Sequence, residues 1–132
     1  MKMKNTGFTL IELLGVIVLL SIIVLVTTPF VQNKIEESRK SGFVSDVKGY
    51  LRATQIKNTE EGVLKFTIAG EKITPEVEYN GKVLGEGVIE YNTLGKAKAN
   101  VWNGKYCVVK KYTDSKIDIV PNITTYTACM NQ

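Results

Sequence analysis

Residues 7–31 of this chain read GFTLIELLGVIVLLSIIVLVTTPFV, an apolar run with a single charged side chain in it. Between Phe8 and Val31 there are 24 residues, and Glu12 is the only one that ionises. At about 1.5 Å of rise per residue, a helix of this length extends roughly 36 Å, enough to cross the ~30 Å apolar core of a bilayer. The run therefore predicts a helix that spans a membrane or is buried in an equally apolar environment.

Glu12 is informative because a carboxylate inside an apolar helix is costly. Placing it at the bilayer centre costs about 2.5–3.5 kcal/mol, and the cost is smaller near the headgroups. One interpretation is a tolerated charge near a helix end, and the other is a carboxylate that needs a cationic partner. No Lys, Arg or His lies within the run, so such a partner has to come from elsewhere. A free α-amino group would serve if processing made the chain begin near this point.

The sequence at residues 7–14, GFTLIELL, resembles the N-terminal signature of type IV pilins and pseudopilins. The resemblance implies that a prepilin peptidase cuts between Gly7 and Phe8, and that Phe8 is then N-methylated. It also implies that Glu12 pairs with the amino terminus of a neighbouring subunit. The similarity is specific over residues 4–29, is weaker as far as residue 57, and beyond that rests on architecture alone.

The helix is predicted to continue past the apolar run. After Val31 the apolar residues recur at helical spacing, which predicts one helix from Thr9 to about Lys57 with an amphipathic second half. Pro29 interrupts it, and matches a proline that many pilins carry where the helix kinks or locally melts. We therefore expect four segments: a leader at residues 1–7, a transmembrane and filament-core helix at 8–31, its amphipathic continuation at 32–58, and a globular antiparallel β-sheet domain with a C-terminal cysteine loop at 59–132.

Short alternating segments after residue 58 predict antiparallel strands, and the fold class is therefore α+β. Asn80-Gly81 and Asn103-Gly104 are typical of two-residue type I′ hairpin turns. The first hairpin is expected over residues 76–84 and the second over 97–112, with other strands at 63–68, 88–91 and 116–120 and an irregular tail after Pro121. In the second hairpin Val101 would face Tyr106, and one sheet face would carry Ala99, Val101, Tyr106 and Val108.

The two cysteines, Cys107 and Cys129, allow a single pairing. An exported domain permits a disulfide, but two reduced thiols in a small core remain an alternative. A disulfide across 21 intervening residues would stabilise the domain by about 3 kcal/mol. The pair resembles the C-terminal disulfide loop of many pilins.

The composition argues against an enzyme. The chain has no histidine, so Ser-His-Asp and Cys-His arrangements are impossible, and it has neither a CxxC pair nor a phosphate-binding glycine loop. We expect no catalytic residues, no metal and no cofactor. Cleavage after Gly7 would remove Lys2 and Lys4 and leave 15 basic against 13 acidic side chains, which weakens any argument for nucleic-acid binding from net charge.

The charges are unevenly placed along the chain. Residues 60–91 carry seven Glu and three Lys, whereas residues 96–118 carry six Lys and two Asp. This distribution fits either a solvated surface or complementary faces that meet between subunits of an array. Lysines interleaved with aromatic residues at 96–112 could also hold single-stranded DNA, although ordinary strand composition gives the same pattern.

The function expected from the residues and the resemblance is a structural one. The chain would be a prepilin that is inserted once in the cytoplasmic membrane, processed, and assembled with other pilin subunits into an extracellular type IV pilus-like filament. Its partners would be prepilin peptidase and a pilus assembly platform with its ATPase. A pseudopilin of a type II secretion or competence DNA-uptake system is an alternative, and a signal-anchored surface binding module is an alternative of another class.

Overall fold

The computed structural model of this protein describes residues 7–132; residues 1–6 of the predicted leader lie outside that range. A long helix is followed by six strands and a short helix. The elements are α1 (Leu10–Glu61), β1 (Lys65–Ala69), β2 (Lys72–Thr74), β3 (Glu86–Tyr91), β4 (Ala97–Trp102), β5 (Cys107–Lys110), β6 (Asp118–Val120) and α2 (Tyr126–Met130). The chain divides into two compact units, with the boundary inside α1 between Ser38 and Arg39.

The first unit is the apolar part of α1. Its large apolar side chains are all well exposed, from 92% at Phe8 to 46% at Ile35. The hydroxyl groups of Ser21 and Thr28 donate to carbonyls of the preceding turn, at 2.8 Å to Ile17 and 2.6 Å to Val24. Between residues 13 and 31 no charged side chain interrupts this apolar surface, and α1 is long and apolar enough to cross a membrane by length and composition.

The second unit consists of the second half of α1 packed on an antiparallel sheet. The strand order is β2-β1-β3-β4-β5-β6, and all neighbouring strands are antiparallel. The helix buries one stripe of residues spaced three or four apart: Phe43, Val47, Tyr50, Ala53 and Thr54. This arrangement confirms the α+β fold with a long N-terminal helix.

The two faces of the sheet have separate cores. The face toward α1 carries Phe66, Ile68, Ile89, Ala99, Val101 and Val108. The opposite face carries Trp102, Cys107 and Val109, which pack with Cys129 of α2. Asn100 is buried on this second face, where its Nδ2 donates to the Cys129 carbonyl at 2.8 Å.

The end of α1 lies at Glu61, four residues beyond the predicted position. Gly62 has a φ of 70° and its N–H donates to the Asn58 carbonyl at 2.9 Å. Asn58 in turn donates from its side chain to the Val63 carbonyl at 2.7 Å. A glycine in the left-handed region closes a helix at no steric cost, which is why α1 continues to this glycine.

The predicted hairpin at Asn80-Gly81 is wrong. Residues 75–85 form no strand, and the hairpin in this part of the chain joins β1 to β2 through the two residues 70 and 71. Contacts to α1 replace strand pairing: the Tyr79 ring lies against Gly49, and the Leu84 N–H donates to the Tyr50 hydroxyl at 2.9 Å. These contacts draw the segment onto the helix.

The second hairpin forms, but with a register that is two residues from the predicted one. Val101 pairs with Val108 and Trp102 with Cys107, which leaves a four-residue loop. The Asn103 carboxamide oxygen accepts from the Lys105 and Tyr106 N–H groups at 2.9 and 2.8 Å, and this holds the wider loop. Because side chains alternate with period two, the predicted face is still correct.

The tail after Pro121 is not irregular as predicted. The short helix α2 begins after Thr125, whose hydroxyl accepts from the Ala128 N–H at 3.3 Å. A threonine at this position satisfies an N–H that would otherwise lack a partner in the first turn. The disulfide and the Asn100 hydrogen bond both hold this helix on the sheet.

Candidate processing and assembly site

The Gly7–Phe8 peptide bond lies before the first residue of α1. Gly7 and Phe8 are both exposed, and neither belongs to a helix or strand. A Cβ atom built on Gly7 would meet no atom of the described residues within 4 Å. Within the described part of the chain, nothing packs on this position, and both residues of the bond are exposed.

Thr9 and Glu12 form a reciprocal pair at the start of α1. The Thr9 N–H donates to Oε2 of Glu12 at 2.9 Å, and the Glu12 N–H donates to Oγ1 of Thr9 at 3.3 Å. This is a capping box, which satisfies two backbone donors that have no partner inside the helix. Glu12 thus has a local structural role in addition to the one expected from the sequence.

Thr9 is the residue that the sequence reasoning missed. The signal was present, because Thr9-Leu10-Ile11-Glu12 fits the pattern of Ser or Thr followed three residues later by Glu. A carboxylate offers about four acceptor positions, so the cap leaves Glu12 able to accept from a cation as well.

A new chain end at Phe8 would lie one residue before the cap. The N-terminus of a helix carries a partial positive charge of about half an elementary charge, so an ammonium group placed there is unfavourable by itself. A carboxylate in the first turn offsets both charges, and Glu12 is the acidic residue in the first turn of α1. The geometry therefore suits a carboxylate that receives an amino terminus.

Pro29 lies inside α1, which is continuous on both sides of it. Proline has no N–H, so the Leu25 carbonyl receives no bond from residue 29. In the turn before it, the Thr27 hydroxyl donates to the Ile23 carbonyl at 2.9 Å. The helix therefore continues through Pro29 with one backbone hydrogen bond fewer. In the same region, the hydroxyls of Thr27 and Thr28 donate to backbone carbonyls.

Cys107 and Cys129 are joined in a disulfide, with their Cα atoms 5.6 Å apart. Both residues are fully buried, between β5 and α2. The bond fixes the C-terminal helix to the sheet.

The described residues combine an exposed segment at Gly7 and Phe8, a helix with exposed apolar side chains, and a sheet domain that contains a disulfide. Residues 2–28 match the family described as the prokaryotic N-terminal methylation motif. Comparisons with curated proteins and with solved structures gave no match. The motif is the signature of type IV pilins and pseudopilins, and it supports a precursor similar to those proteins.

The motif also has implications beyond the fold. It implies processing by prepilin peptidase and assembly with other pilins, and it points to a structural subunit. The apolar first unit of α1 is consistent with membrane anchoring followed by a place in a surface filament.

Proposed function

We propose that the chain is a prepilin whose mature form is a subunit of a type IV pilus-like filament. Prepilin peptidase cuts between Gly7 and Phe8, and Phe8 becomes the N-methylated terminus. The observation that carries the proposal is the methylation motif at residues 2–28, which continues directly into a helix whose apolar side chains are exposed all round. Such a surface needs lipid before assembly and neighbouring helices afterwards.

Assembly uses a charge pair between subunits. The Phe8 ammonium group of one subunit meets the Glu12 carboxylate of its neighbour, and the pair sets the register of the packed helices. In an apolar surrounding this contact offsets the cost of burying the carboxylate. Residues 8–31 form the filament core, with Pro29 as the place where α1 is easiest to bend, and residues 59–132 face outward.

The first test changes the assembly residue. Glu12→Leu is expected to give a processed, membrane-inserted protein that forms no filaments. Thr9→Val is the matched control, because it removes the capping hydroxyl and keeps the carboxylate; it should cost about 1 kcal/mol of helix stability and still assemble. Filament yield is measured by sedimentation and electron microscopy. Normal filaments from Glu12→Leu, or an equal loss from Thr9→Val, would contradict the charge pair.

The second test addresses processing. Gly7→Asp is expected to block cleavage without unfolding the domain, because nothing lies near the Gly7 Cβ position. Mass spectrometry of wild-type filaments should find a chain that begins at N-methylated Phe8. A mature-sized product from Gly7→Asp would show that the cleavage site is elsewhere. An intact monomeric membrane protein in the wild type would favour a surface module tethered by α1.

A further inference from the structure

The second unit has a basic cleft on one flank of α1. The cleft measures about 470 Å³ and lies between α1, the turn that joins β3 to β4, and the loop after β5. Its lining includes four cationic side chains and one carboxylate: Lys48, Arg52, Lys96, Lys110 and Asp114.

Two of these five charged groups are already engaged inside the domain. The Lys110 ammonium donates to the Ala97 carbonyl at 2.9 Å and to the Lys111 carbonyl at 3.3 Å. The Asp114 carboxylate accepts from the Lys111 N–H at 3.0 Å. Within residues 7–132, Lys48, Arg52 and Lys96 are exposed and take part in no ion pair. The cleft thus presents three cations that form no ion pair within the described residues, beside one carboxylate, Asp114.

An acidic surface lies on the other flank of the same helix. It comprises Asp46 of α1 and Glu76 and Glu78 of the segment that packs on Gly49 through Tyr79. None of these three carboxylates has an ion-pair partner in the described part of the chain, whereas nearby Glu71 is paired with Lys82 at 2.8 Å. Lys72 lines the same cleft as Glu76, and unlike Lys82 it is in no ion pair within the described residues.

The two surfaces of one subunit cannot meet each other. A helix turns by about 100° per residue, so Lys48, Leu51 and Gln55 lie on one side of the buried stripe, and Asp46 and Gly49 lie on the other. A contact between them therefore requires a second copy. A head-to-tail contact joins one surface of a copy to a different surface of the next copy. Where the rotation between copies does not close a ring, such contacts generate an open helical array.

We infer that the basic cleft receives the acidic surface of an adjacent copy, with Lys48 and Arg52 facing Glu76 and Glu78 of that copy. The inference deepens the proposed function, on which it rests, by naming a lateral contact between sheet domains. A single exposed ion pair contributes little to stability, but this contact is repeated at every subunit. It orients neighbours, while the apolar helices provide most of the stability of the filament.

Charge reversal tests the contact. Lys48→Glu with Arg52→Glu, or Glu76→Lys with Glu78→Lys, is expected to lower filament yield by about fivefold or more, and the combined four-fold variant should recover it. The matched control combines Lys48→Glu and Arg52→Glu with Glu86→Lys and Asp118→Lys, which restores the same net charge at exposed positions elsewhere and should not recover assembly. Thermal unfolding of each full-length variant in detergent shows whether it is folded.

The outcomes separate this contact from the rest of the proposal. Normal filaments from both charge-reversed pairs, no recovery in the combined variant, or equal recovery in the control would overturn the contact and leave the Glu12 test unaffected. Normal filaments that lose binding of a single-stranded oligonucleotide would assign the cleft to nucleic acid instead. As a second measurement, filaments that mix Arg52→Cys and Glu78→Cys copies should give an intersubunit disulfide between residues 52 and 78, and its absence would also count against the contact.

Discussion

Gly42 and Gly49 occupy the same helix, but a side chain at each would meet different surroundings. A Cβ atom at Gly42 would meet nothing within 4 Å. At Gly49 it would lie 2.8 Å from Cε2 of Tyr79, whose ring packs edge-on against Tyr50 with the centroids 5.1 Å apart. Glycine in a helix interior costs roughly 0.5–1 kcal/mol relative to alanine. At Gly49 the absence of a side chain makes room for the Tyr79 ring, whereas at Gly42 no neighbouring group occupies the space.

We expect the two alanine substitutions to have opposite effects. Gly42→Ala should raise the free energy of unfolding by up to about 1 kcal/mol, because helix propensity improves and nothing is displaced. Gly49→Ala should lower it by about 1–3 kcal/mol, because Tyr79 has to leave its contact with Tyr50. Urea unfolding of the full-length protein in detergent, followed by the fluorescence of buried Trp102, measures both. A similar gain from both variants would show that Tyr79 moves without cost.

At the scale of the element, local pattern predicted which residues share a face but not which residues pair. Asn103-Gly104 forms a turn, yet the Asn103 side chain widens it and moves the register by two residues, so Ala99 and Val108 keep their predicted face. Asn80-Gly81 forms no hairpin because Leu84 bonds to Tyr50, 34 residues earlier. Contacts of this separation leave no trace in a local sequence window.

The same limit applies to the sites. Gly7, Phe8 and Glu12 lie within the continuous motif at residues 2–28, so their roles could be predicted from the sequence and stay predictions. The basic cleft is assembled from four separate parts of the chain and could be identified only in the folded domain. The sequence did show the separation of acidic and basic segments from which the two surfaces derive.

The disulfide between β5 and α2 gives a prediction at this scale. Cys107→Ala with Cys129→Ala is expected to lower the free energy of unfolding by about 3 kcal/mol, because the unfolded chain regains the freedom of a loop whose ends are 22 residues apart. Amide exchange at residues 126–130 should accelerate more than exchange in β3 and β4, since α2 loses its covalent tie. Reduced wild-type protein is the control and should behave in the same way. Unchanged amide exchange in α2 would mean that the Asn100 hydrogen bond and the apolar contacts with Trp102 and Val109 hold this helix without the disulfide.

At the scale of the whole molecule, tyrosine hydroxyls connect α1 to the rest of the second unit. The Tyr91 hydroxyl donates to the Leu51 carbonyl at 3.0 Å and lies 2.9 Å from the Thr54 hydroxyl. The Tyr50 hydroxyl accepts from the Leu84 N–H and thereby holds the 75–85 segment. Burial raises the pKa of both phenols above their ordinary value of 10.0. For Tyr50, the carboxylate of Asp46 acts in the same direction.

The raised pKa values predict that the domain loses stability in alkali. As the pH rises above about 10, the unfolded chain gives up its phenol protons while the folded domain retains them, so unfolding releases protons and the free energy of unfolding falls. The stabilisation is complete below about pH 10 and is lost as the pH rises through the folded pKa. Tyr50→Phe should flatten this dependence, because it removes one of the phenols whose pKa is raised in the folded domain. Urea midpoints at about pH 9 and pH 11 provide the measurement, and an identical fall in wild type and Tyr50→Phe would place the titrating group elsewhere in the domain.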